Sequence, residues 1–489
     1  MSIWITVWEI SLAVAVLLAT GVTVFILTLP SSFTHFHPHE VDETHFTKPD
    51  KEDPNRSGYA QYTKLKGSDG IFKVDASVQV VVLGDIGRSP RMQYHALSIA
   101  NHGGKVDLIG YVDSEVHPDI RASRLINIVP IPPFPYQTSN SIFFLFLAPV
   151  KILWQFQALY HALGYRTKAT KWMLVQNPPS IPTLVVAQII CFFRNTKLII
   201  DWHNFGYSIL ALRLGPSHPL VKVAEWYEGW FARGATAHFA VTNAMCRVLK
   251  TKWGIEALPL HDRPAEHFQH LTVQQRTEVL YTLAETKEHA TGIENHTWRL
   301  IVSPTSWTAD EDFSLLVDAL VSYSAGVEDG KTFLPSILAI ITGKGPQKEH
   351  YRARIKQLNQ EKKLNHVIIT TAWLSTSDYA RLLGAADLGI SLHTSSSGVD
   401  LPMKVVDMFG AGLPVAGWSK FEAWPELVKE GHNGRGFGSA DELSDVLKEL
   451  FGGDGRQLGH LKQGALSEGG RRWDDEWMPV AGTLLRLKL

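Results

Sequence analysis

The sequence predicts an α/β protein with two Rossmann-like, doubly wound domains facing a cleft, preceded by one amino-terminal transmembrane helix. Three observations support this. Short apolar runs rich in Val and Ile alternate with helical patterns along most of the chain, as in parallel sheets with crossover helices. Polar, Gly-containing loops follow several of these runs. A long uncharged stretch lies near the amino terminus.

Length, charge and cysteine content exclude several classes of protein. A chain of 489 residues can hold two domains, each with its own core. Its formal net charge is −1, so nucleic acid is not expected as a partner. The chain has only two cysteines, Cys191 and Cys246, which disfavours a disulfide framework and indicates a reducing compartment.

Residues 1–30 are predicted to be a membrane anchor. Residues 10–29 carry no charge and, as a helix, would span roughly 30 Å, the thickness of a bilayer's hydrocarbon core. A cleaved signal peptide is the alternative, but no Lys or Arg precedes the apolar run. Lys and Arg follow it in the polar tether at 31–75, so the body is expected in the cytoplasm. The sequons at Asn55 and Asn295 should then stay unmodified.

The first Rossmann-like domain, residues 76–265, begins with a strand at 78–83 that runs into a Gly- and Arg-containing loop. Glycines between a strand and a helix let backbone N–H groups approach a phosphate. Gly84, Gly87, Arg88 and Arg91 are therefore predicted to form an anion site for a phosphate group. A tight turn with solvated arginines is the alternative. The G-x-G-x-x-G fingerprint is absent, which disfavours a nicotinamide cofactor.

Later parts of this domain supply further candidates. Residues 142–159 are apolar and aromatic, and are either a core helix or a helix that enters the membrane interface to meet a lipid. A strand at 197–200 runs into a polar cluster containing His203, which is either a catalytic base or a structural residue. Glu225 lies on a predicted helix at 220–231.

The second Rossmann-like domain, residues 298–472, follows a charged linker or insertion at 266–297 that has no zinc-ligand spacing. A strand at 337–342 precedes a Gly-Lys-Gly loop containing Lys344. A strand at 388–392 precedes a Ser-rich loop and a helix carrying Lys404 and Asp407. Asp310 and Asp312 match a D-x-D metal-nucleotide motif, but an Asp-rich helix start explains them better. The tail, 473–489, is expected to form a last helix.

Five motifs in order resemble those of the chitobiosyldiphosphodolichol β-mannosyltransferases, which have the GT-B architecture. They cover residues 78–438 and read GDIGRSPRM, IDWHNFGY, SPTSWTADEDF, TGKGP and SSSGVDLPMKVVDMFG. The chain departs from retaining GT-B transferases in two ways. It has no Arg and Lys in the loop after the second domain's first strand, and its acidic pair, Asp400 and Asp407, is more closely spaced.

The resemblance implies a β-mannosyltransferase of the N-glycan precursor pathway. It would be a single-pass protein of the endoplasmic reticulum membrane with a cytosolic catalytic domain. It would transfer the first mannose from GDP-mannose to dolichyl-diphosphate-chitobiose with inversion. No tightly bound cofactor or metal is expected. Stimulation by Mg²⁺ or Mn²⁺ and contact with other mannosyltransferases of the pathway are left open. The alternatives are a retaining GT-B transferase and a non-catalytic scaffold subunit.

Residue roles follow from the same resemblance, which implies that the anion site of Gly84, Gly87, Arg88 and Arg91 binds the acceptor's diphosphate. The candidate bases are Asp85, His203 and Glu225, in that order. The residues predicted to bind the donor are Lys344, Ser395, Ser396, Ser397, Gly398, Lys404, Asp407 and Glu422. Lys404→Ala is expected to remove most activity without unfolding the protein.

Overall fold

A computed structural model describes residues 2–27, 29, 33–35, 76–136, 141–308, 311–328 and 333–487. The first element is helix α1 (Ser2–Leu27), which overlaps the predicted membrane span. Across these described ranges, no helix combines the length and hydropathy that a bilayer crossing requires. Most of the predicted tether, at 36–75, lies outside the described residues.

The first sheet is parallel and has the strand order β3-β2-β1-β4-β5-β6-β7. The register pairs Val80 of the first strand with Leu108 and with Leu174 of its two neighbours. The apolar runs predicted at 78–83 and 197–200 correspond to the first and fifth strands. The strands are β1 (Ser77–Asp85), β2 (Lys105–Tyr111), β3 (Ile126–Pro130), β4 (Trp172–Asn177), β5 (Lys197–Trp202), β6 (Ala237–Ala240) and β7 (Leu258–Pro259).

The second sheet is also parallel, with the order β10-β9-β8-β11-β12-β13. The prediction of two Rossmann-like sheets is therefore confirmed. Ile301, Ile341 and Ile390 of this sheet are fully buried, because its strands are covered on both faces. The strands are β8 (Trp298–Pro304), β9 (Ser336–Thr342), β10 (Val367–Ala372), β11 (Leu388–Ser391), β12 (Val415–Trp418) and β13 (Gly434–Phe437).

Helices connect the parallel strands, as right-handed crossovers require. Those before the second sheet are α2 (Pro90–Asn101), α3 (Pro118–Ala122), α4 (Ser141–His161), α5 (Thr183–Arg194), α6 (Gly206–Leu214), α7 (Pro219–Ala232), α8 (Asn243–Trp253), α9 (Val273–Thr282) and α10 (Ala290–Glu294). Those after its first strand are α11 (Ser314–Glu328), α12 (Lys348–Gln360), α13 (Thr376–Ala385), α14 (Met403–Gly410), α15 (Trp424–Leu427), α16 (Ala440–Gly452), α17 (Arg456–Gly469), α18 (Trp473–Trp477) and α19 (Thr483–Leu485). Ile86–Arg88 and Lys287–His289 are 3₁₀ turns, and Ala162–Arg166 and Met478–Gly482 are π-helical.

The chain divides into two compact units. One comprises Met1–Val175 and Ile181–Leu198, and the other comprises Gln176–Ser180 and Ile199–Leu489. The division cuts through β4 and β5 of the first sheet. The domain boundaries predicted from the sequence, at 265 and 298, stay predictions.

Two segments differ from their predicted character. The linker at 266–297 contains α9 and α10, and buries Val279, Leu280 and Ile293. Its apolar positions are few but close together, so the segment packs although its overall composition is charged. On α4, Val150 and Leu153 are exposed, whereas Leu159 is buried. Among the described side chains of α4, the core-helix interpretation of 142–159 fits Leu159 at its carboxyl-terminal end.

Candidate active site

The Ser-rich loop after β11 is held in place by its own side chains. Ser395 and Gly398 both adopt left-handed backbone conformations, with φ of 53° and 75°. The Ser395 hydroxyl donates to the Asp400 carboxylate and accepts the Gly398 N–H at 2.8 Å. A non-glycine residue in that conformation costs about 1–3 kcal/mol, so the loop is shaped at an energetic cost. One of its predicted phosphate donors, the Gly398 N–H, is already engaged.

Ser397 of this loop has a buried hydroxyl group. The Ser397 Oγ atom has essentially no solvent exposure and no hydrogen-bond partner among the residues that the structure describes. Unsatisfied buried polar atoms are rare in folded proteins and call for an explanation. A ligand bound in the loop would supply the missing partner.

Asn204 joins the Ser-rich loop to the loop after β5. Its side-chain N–H₂ donates to the Ser396 hydroxyl at 3.1 Å and to the Asp400 carboxylate at 3.0 Å. The same carboxylate lies 3.2 Å from the Nε2 atom of His393. Neither Asn204 nor Asp400 was predicted as a site residue. The signal that could have found Asn204 is its place at the carboxyl end of a buried strand.

Lys404 forms an ion pair that the sequence did not reveal. Its ammonium group binds the buried carboxylate of Glu311 and lies 3.4 Å from the Ser306 hydroxyl. The other Glu311 oxygen accepts the Thr305 hydroxyl and the Ser306 N–H, both at 2.6 Å. Glu311 therefore fixes the position of the Lys404 cation, which is predicted to bind the donor's diphosphate.

Asp407, one turn further along α14, has a carboxyl group with a raised pKa. Burial of its carboxyl group and the nearby negative charge of Asp262 raise its pKa from 3.8 to about 8, while the Lys404 cation opposes that shift. A protonated carboxyl group can donate as well as accept a hydrogen bond. Such a group suits a ligand with hydroxyls, such as a ribose.

The Gly-Lys-Gly loop packs against the chain that follows β8. A Cβ atom at Gly343 would overlap the Thr305 carbonyl oxygen, and one at Gly345 would overlap that of Ser306. These glycines are therefore required by close backbone approach. Lys344 projects from the loop and places its ammonium group 4.0 Å from the centre of the Trp373 ring.

Glu422, the remaining predicted donor contact, forms an exposed ion pair with Arg247 of α8 at 2.8 Å. Its backbone N–H donates to the Gly398 carbonyl at 2.9 Å, which places it beside the Ser-rich loop. The nearby Glu426 accepts the N–H groups of Asn243 and Ala244, both at 2.7 Å, and so caps the amino end of α8.

The three candidate bases have different surroundings. Asp85 accepts the N–H groups of Gly87, Asp113 and Ser114, each at 3.2 Å. Burial alone would raise its pKa, but hydrogen bonds from Ser114, Asp113 and Gly87 leave it below the usual value. Such a carboxylate is a weak base. Glu225 is paired with Lys252 on the surface of α7 and α8.

His203, by contrast, is oriented as a base needs to be. Its Nε2 atom lies 2.8 Å from the fully buried carboxylate of Asp201. If Nε2 donates to that carboxylate, Nδ1 carries the lone pair. The side chain is about a quarter exposed, at 23 %, so a substrate can reach it. His203 is also the residue next to Asn204, which binds the Ser-rich loop.

The predicted acceptor-diphosphate loop lies at the carboxyl end of β1. The 3₁₀ turn Ile86–Arg88 separates this strand from α2, so Gly84 and Gly87 do not themselves start the helix. The Arg88 side chain is exposed and donates to the Ser114 hydroxyl at 3.2 Å. Arg91 lies in the first turn of α2 and is buried.

No group of three or more His, Cys, Asp or Glu side chains suitable for a metal ion occurs among the described residues. Asp312 accepts the Ser314 N–H at 3.0 Å, which agrees with the predicted role at a helix start. Asp310 lies outside the described residues.

Known proteins are similar to this chain over most of its length. It is 53 % identical over 382 residues to "Chitobiosyldiphosphodolichol beta-mannosyltransferase" of Arthroderma benhamiae, covering 77 % of this chain and 85 % of the relative. It is 40 % identical to the Homo sapiens protein of the same name, covering 82 % of this chain and 90 % of that protein. No family model matches the chain.

Among solved structures, HepE of Anabaena in complex with UDP-glucose superposes with a TM-score of 0.59 at 15 % identity. The match covers 84 % of this chain and 99 % of HepE. At that identity the likeness concerns the fold alone, and it confirms the GT-B glycosyltransferase architecture.

Proposed function

This chain belongs to the chitobiosyldiphosphodolichol beta-mannosyltransferases, and we propose on that premise that it transfers mannose from GDP-mannose to dolichyl-diphosphate-chitobiose. The product would carry the first mannose in a β linkage, formed with inversion at the sugar's anomeric carbon. Inversion requires a base that deprotonates the acceptor hydroxyl and cations that stabilise the departing diphosphate.

One observation carries the proposal for this chain's own residues. Asn204 hydrogen bonds to both Ser396 and Asp400 of the Ser-rich loop and directly follows His203. This amide therefore connects the proposed base to the proposed donor loop. The unpartnered Ser397 hydroxyl supports a ligand in that loop.

We assign the base to His203, with Asp201 as its positioning residue. Asp201 binds the Nε2 atom and leaves Nδ1 to accept the proton of the attacking hydroxyl. The buried carboxylate then stabilises the imidazolium that forms. Among the three sequence candidates, Asp85 is stabilised as an anion by backbone N–H groups and Glu225 is neutralised by Lys252.

On the donor side, Lys404 would bind the diphosphate and Asp407 a ribose hydroxyl. Glu311 holds the Lys404 ammonium group, so the protein itself sets the position of this cation. Lys344, whose ammonium group lies over the Trp373 ring, is a further candidate to bind the diphosphate.

The test is transfer of radiolabelled mannose by the detergent-solubilised full chain to dolichyl-diphosphate-chitobiose. We expect label in the lipid extract from GDP-mannose, and its release by a β-specific but not an α-specific mannosidase. UDP-glucose and UDP-N-acetylglucosamine serve as donor controls and should give no product. Absence of product with every donor would favour the scaffold alternative, and an α-linked product would favour the retaining alternative.

We also propose that the protein acts at the endoplasmic reticulum membrane with its body in the cytosol, anchored through residues 10–29. The support is the uncharged sequence of that segment and the Lys and Arg residues that follow it. Protease digestion of intact microsomes tests this location, because a cytosolic body should be degraded without detergent.

A further inference from the structure

Helices α6 and α7 present an apolar surface to solvent. We call it the hairpin face, and it consists of Ile209, Leu212, Leu220, Val223, Trp226 and Trp230, all exposed. Trp226 and Trp230 are 60 % and 58 % exposed, although tryptophan is usually largely buried in soluble proteins. Exposed contiguous apolar patches mark interaction sites.

The spacing shows that the face is a feature of the helix and not a set of scattered residues. On α7, Leu220, Val223, Trp226 and Trp230 recur every three or four residues and so lie on one side. The opposite side buries Val221 and Ala224. The rings of Trp226 and Trp230 stack at 6.0 Å with an interplanar angle of 22°.

The charges around the hairpin face favour a negatively charged partner. Arg213 and Lys222 are both exposed on these helices. The acidic residues of α7 are already neutralised or buried, since Glu225 pairs with Lys252 and Glu228 is fully buried. Glu228 accepts the Gly206 N–H at 3.0 Å and the Asn177 side chain at 2.6 Å. The exposed charge beside the tryptophans is therefore positive.

We propose that the hairpin face docks onto the surface of the bilayer that contains the acceptor lipid. Exposed Trp and Leu beside Arg and Lys are the composition of a helix lying in a membrane interface. Helix α6 begins at Gly206, three residues after His203, so docking would hold the proposed base near the lipid headgroups. This proposal rests on the lipid acceptor of the proposed function.

Spin labelling of the full chain tests the contact directly. Val223→Cys carries the label, which keeps both tryptophans, in a background with Cys246→Ser. Val273→Cys on α9, also an exposed apolar position at 79 %, is the matched control. On phosphatidylcholine vesicles containing phosphatidylinositol, the label at 223 should gain collisions with oxygen and lose collisions with a water-soluble nickel chelate. The label at 273 should change in neither respect.

Two outcomes would overturn the proposal. A label at 223 with unchanged collisions would show that the face stays in water. A label shielded from both reagents would show that protein covers it, either a second copy of the chain or another partner. The measurement needs no turnover, so it is independent of the activity assay.

A kinetic test separates docking from folding. In Trp226→Glu/Trp230→Glu, we expect KM for the dolichyl acceptor in vesicles to rise about tenfold or more, because charged side chains do not enter the interface. KM for a short-chain, water-soluble acceptor should stay unchanged, and Val273→Glu should leave both unchanged. Equal losses on both acceptors in the double variant would contradict docking. Failure of the proposed function itself would show as no transfer by the unaltered chain to either acceptor.

Discussion

At the scale of single residues, the pair of His203 and Asp201 makes the sharpest prediction. Because His203 is the proposed base, His203→Gln should lower kcat by about 10²–10⁴-fold with little change in GDP-mannose affinity. Asp201→Asn should lower kcat less, because this substitution removes only the orientation of the His203 ring and the stabilisation of its positive charge. Initial rates measured while both substrate concentrations are varied give kcat, and a nucleotide-binding assay gives the affinity for GDP-mannose.

Glu225→Gln is the control for that series, since Glu225 lies in a surface ion pair with Lys252. It should keep near-normal kcat. If His203→Gln also turned over at the normal rate, His203 would not be the base.

The ion pair of Lys404 and Glu311 refines an expectation from the sequence. Lys404→Met removes the partner of a buried carboxylate. We therefore expect a loss of stability of about 1–3 kcal/mol, in addition to a loss of activity. Lys404→Met/Glu311→Gln should recover most of the stability but none of the activity. Thermal unfolding and mannose transfer measured on both variants check this, and equal Tm values for the single variant and the unaltered chain would refute the argument.

The raised pKa of Asp407 predicts that the stability difference between Asp407→Asn and the unaltered chain depends on pH. The pKa of Asp407 in the folded protein is raised from 3.8 to about 8, so the neutral form is favoured by folding. The protonated Asp407 carboxyl group therefore stabilises the folded protein below about pH 4, and this stabilisation is lost as the pH rises through 8. Asp407→Asn, which cannot ionise, should therefore be more stable than the unaltered chain at pH 9, with a smaller difference at pH 5. Denaturant unfolding at both values measures this, and a difference independent of pH would show that Asp407 is ionised at neutrality.

At the scale of secondary-structure elements, His261 connects the chain after β7 to α15 and α18. Its ring binds Glu426 at 3.2 Å and Glu476 at 2.9 Å. Hydrogen bonds to Glu426 and then Glu476 raise its pKa from 6.5 to about 9, against the effect of burial. The protonated His261 ring, through its contacts with the two glutamates, thus stabilises the folded protein fully below pH 6.5. This stabilisation is lost as the pH rises through 9.

We therefore predict that the Tm difference between His261→Gln and the unaltered chain narrows from pH 6.5 to 9.5. Glu476 does not interfere, because its pKa is lowered to about 2 and it stays ionised throughout that range. A constant Tm difference would mean that His261 contributes by packing and not by charge.

At the scale of the whole molecule, membrane topology gives a prediction independent of catalysis. Asn295 is exposed, so it would be glycosylated if the body faced the lumen. We expect no mobility shift when the chain from microsomes is treated with an N-glycosidase, and a lumenal glycoprotein from the same microsomes serves as the positive control. A shift that disappears in Asn295→Gln would place the body in the lumen and contradict the predicted topology.

The two parallel sheets could be predicted from the order of residues alone, because buried strands read as continuous apolar runs whatever their neighbours. The family could be predicted in the same way, because five motifs occur in order. Strand β7 has only two residues, which is too few for a periodic signal. The pairing of polar and charged side chains became visible in the folded chain. Asn204 reaches Asp400 and Glu311 reaches Lys404 across more than ninety intervening residues, at 196 and 93 positions apart. Sequence patterns report local spacing, whereas contacts between distant segments depend on how the strands are ordered in their sheets.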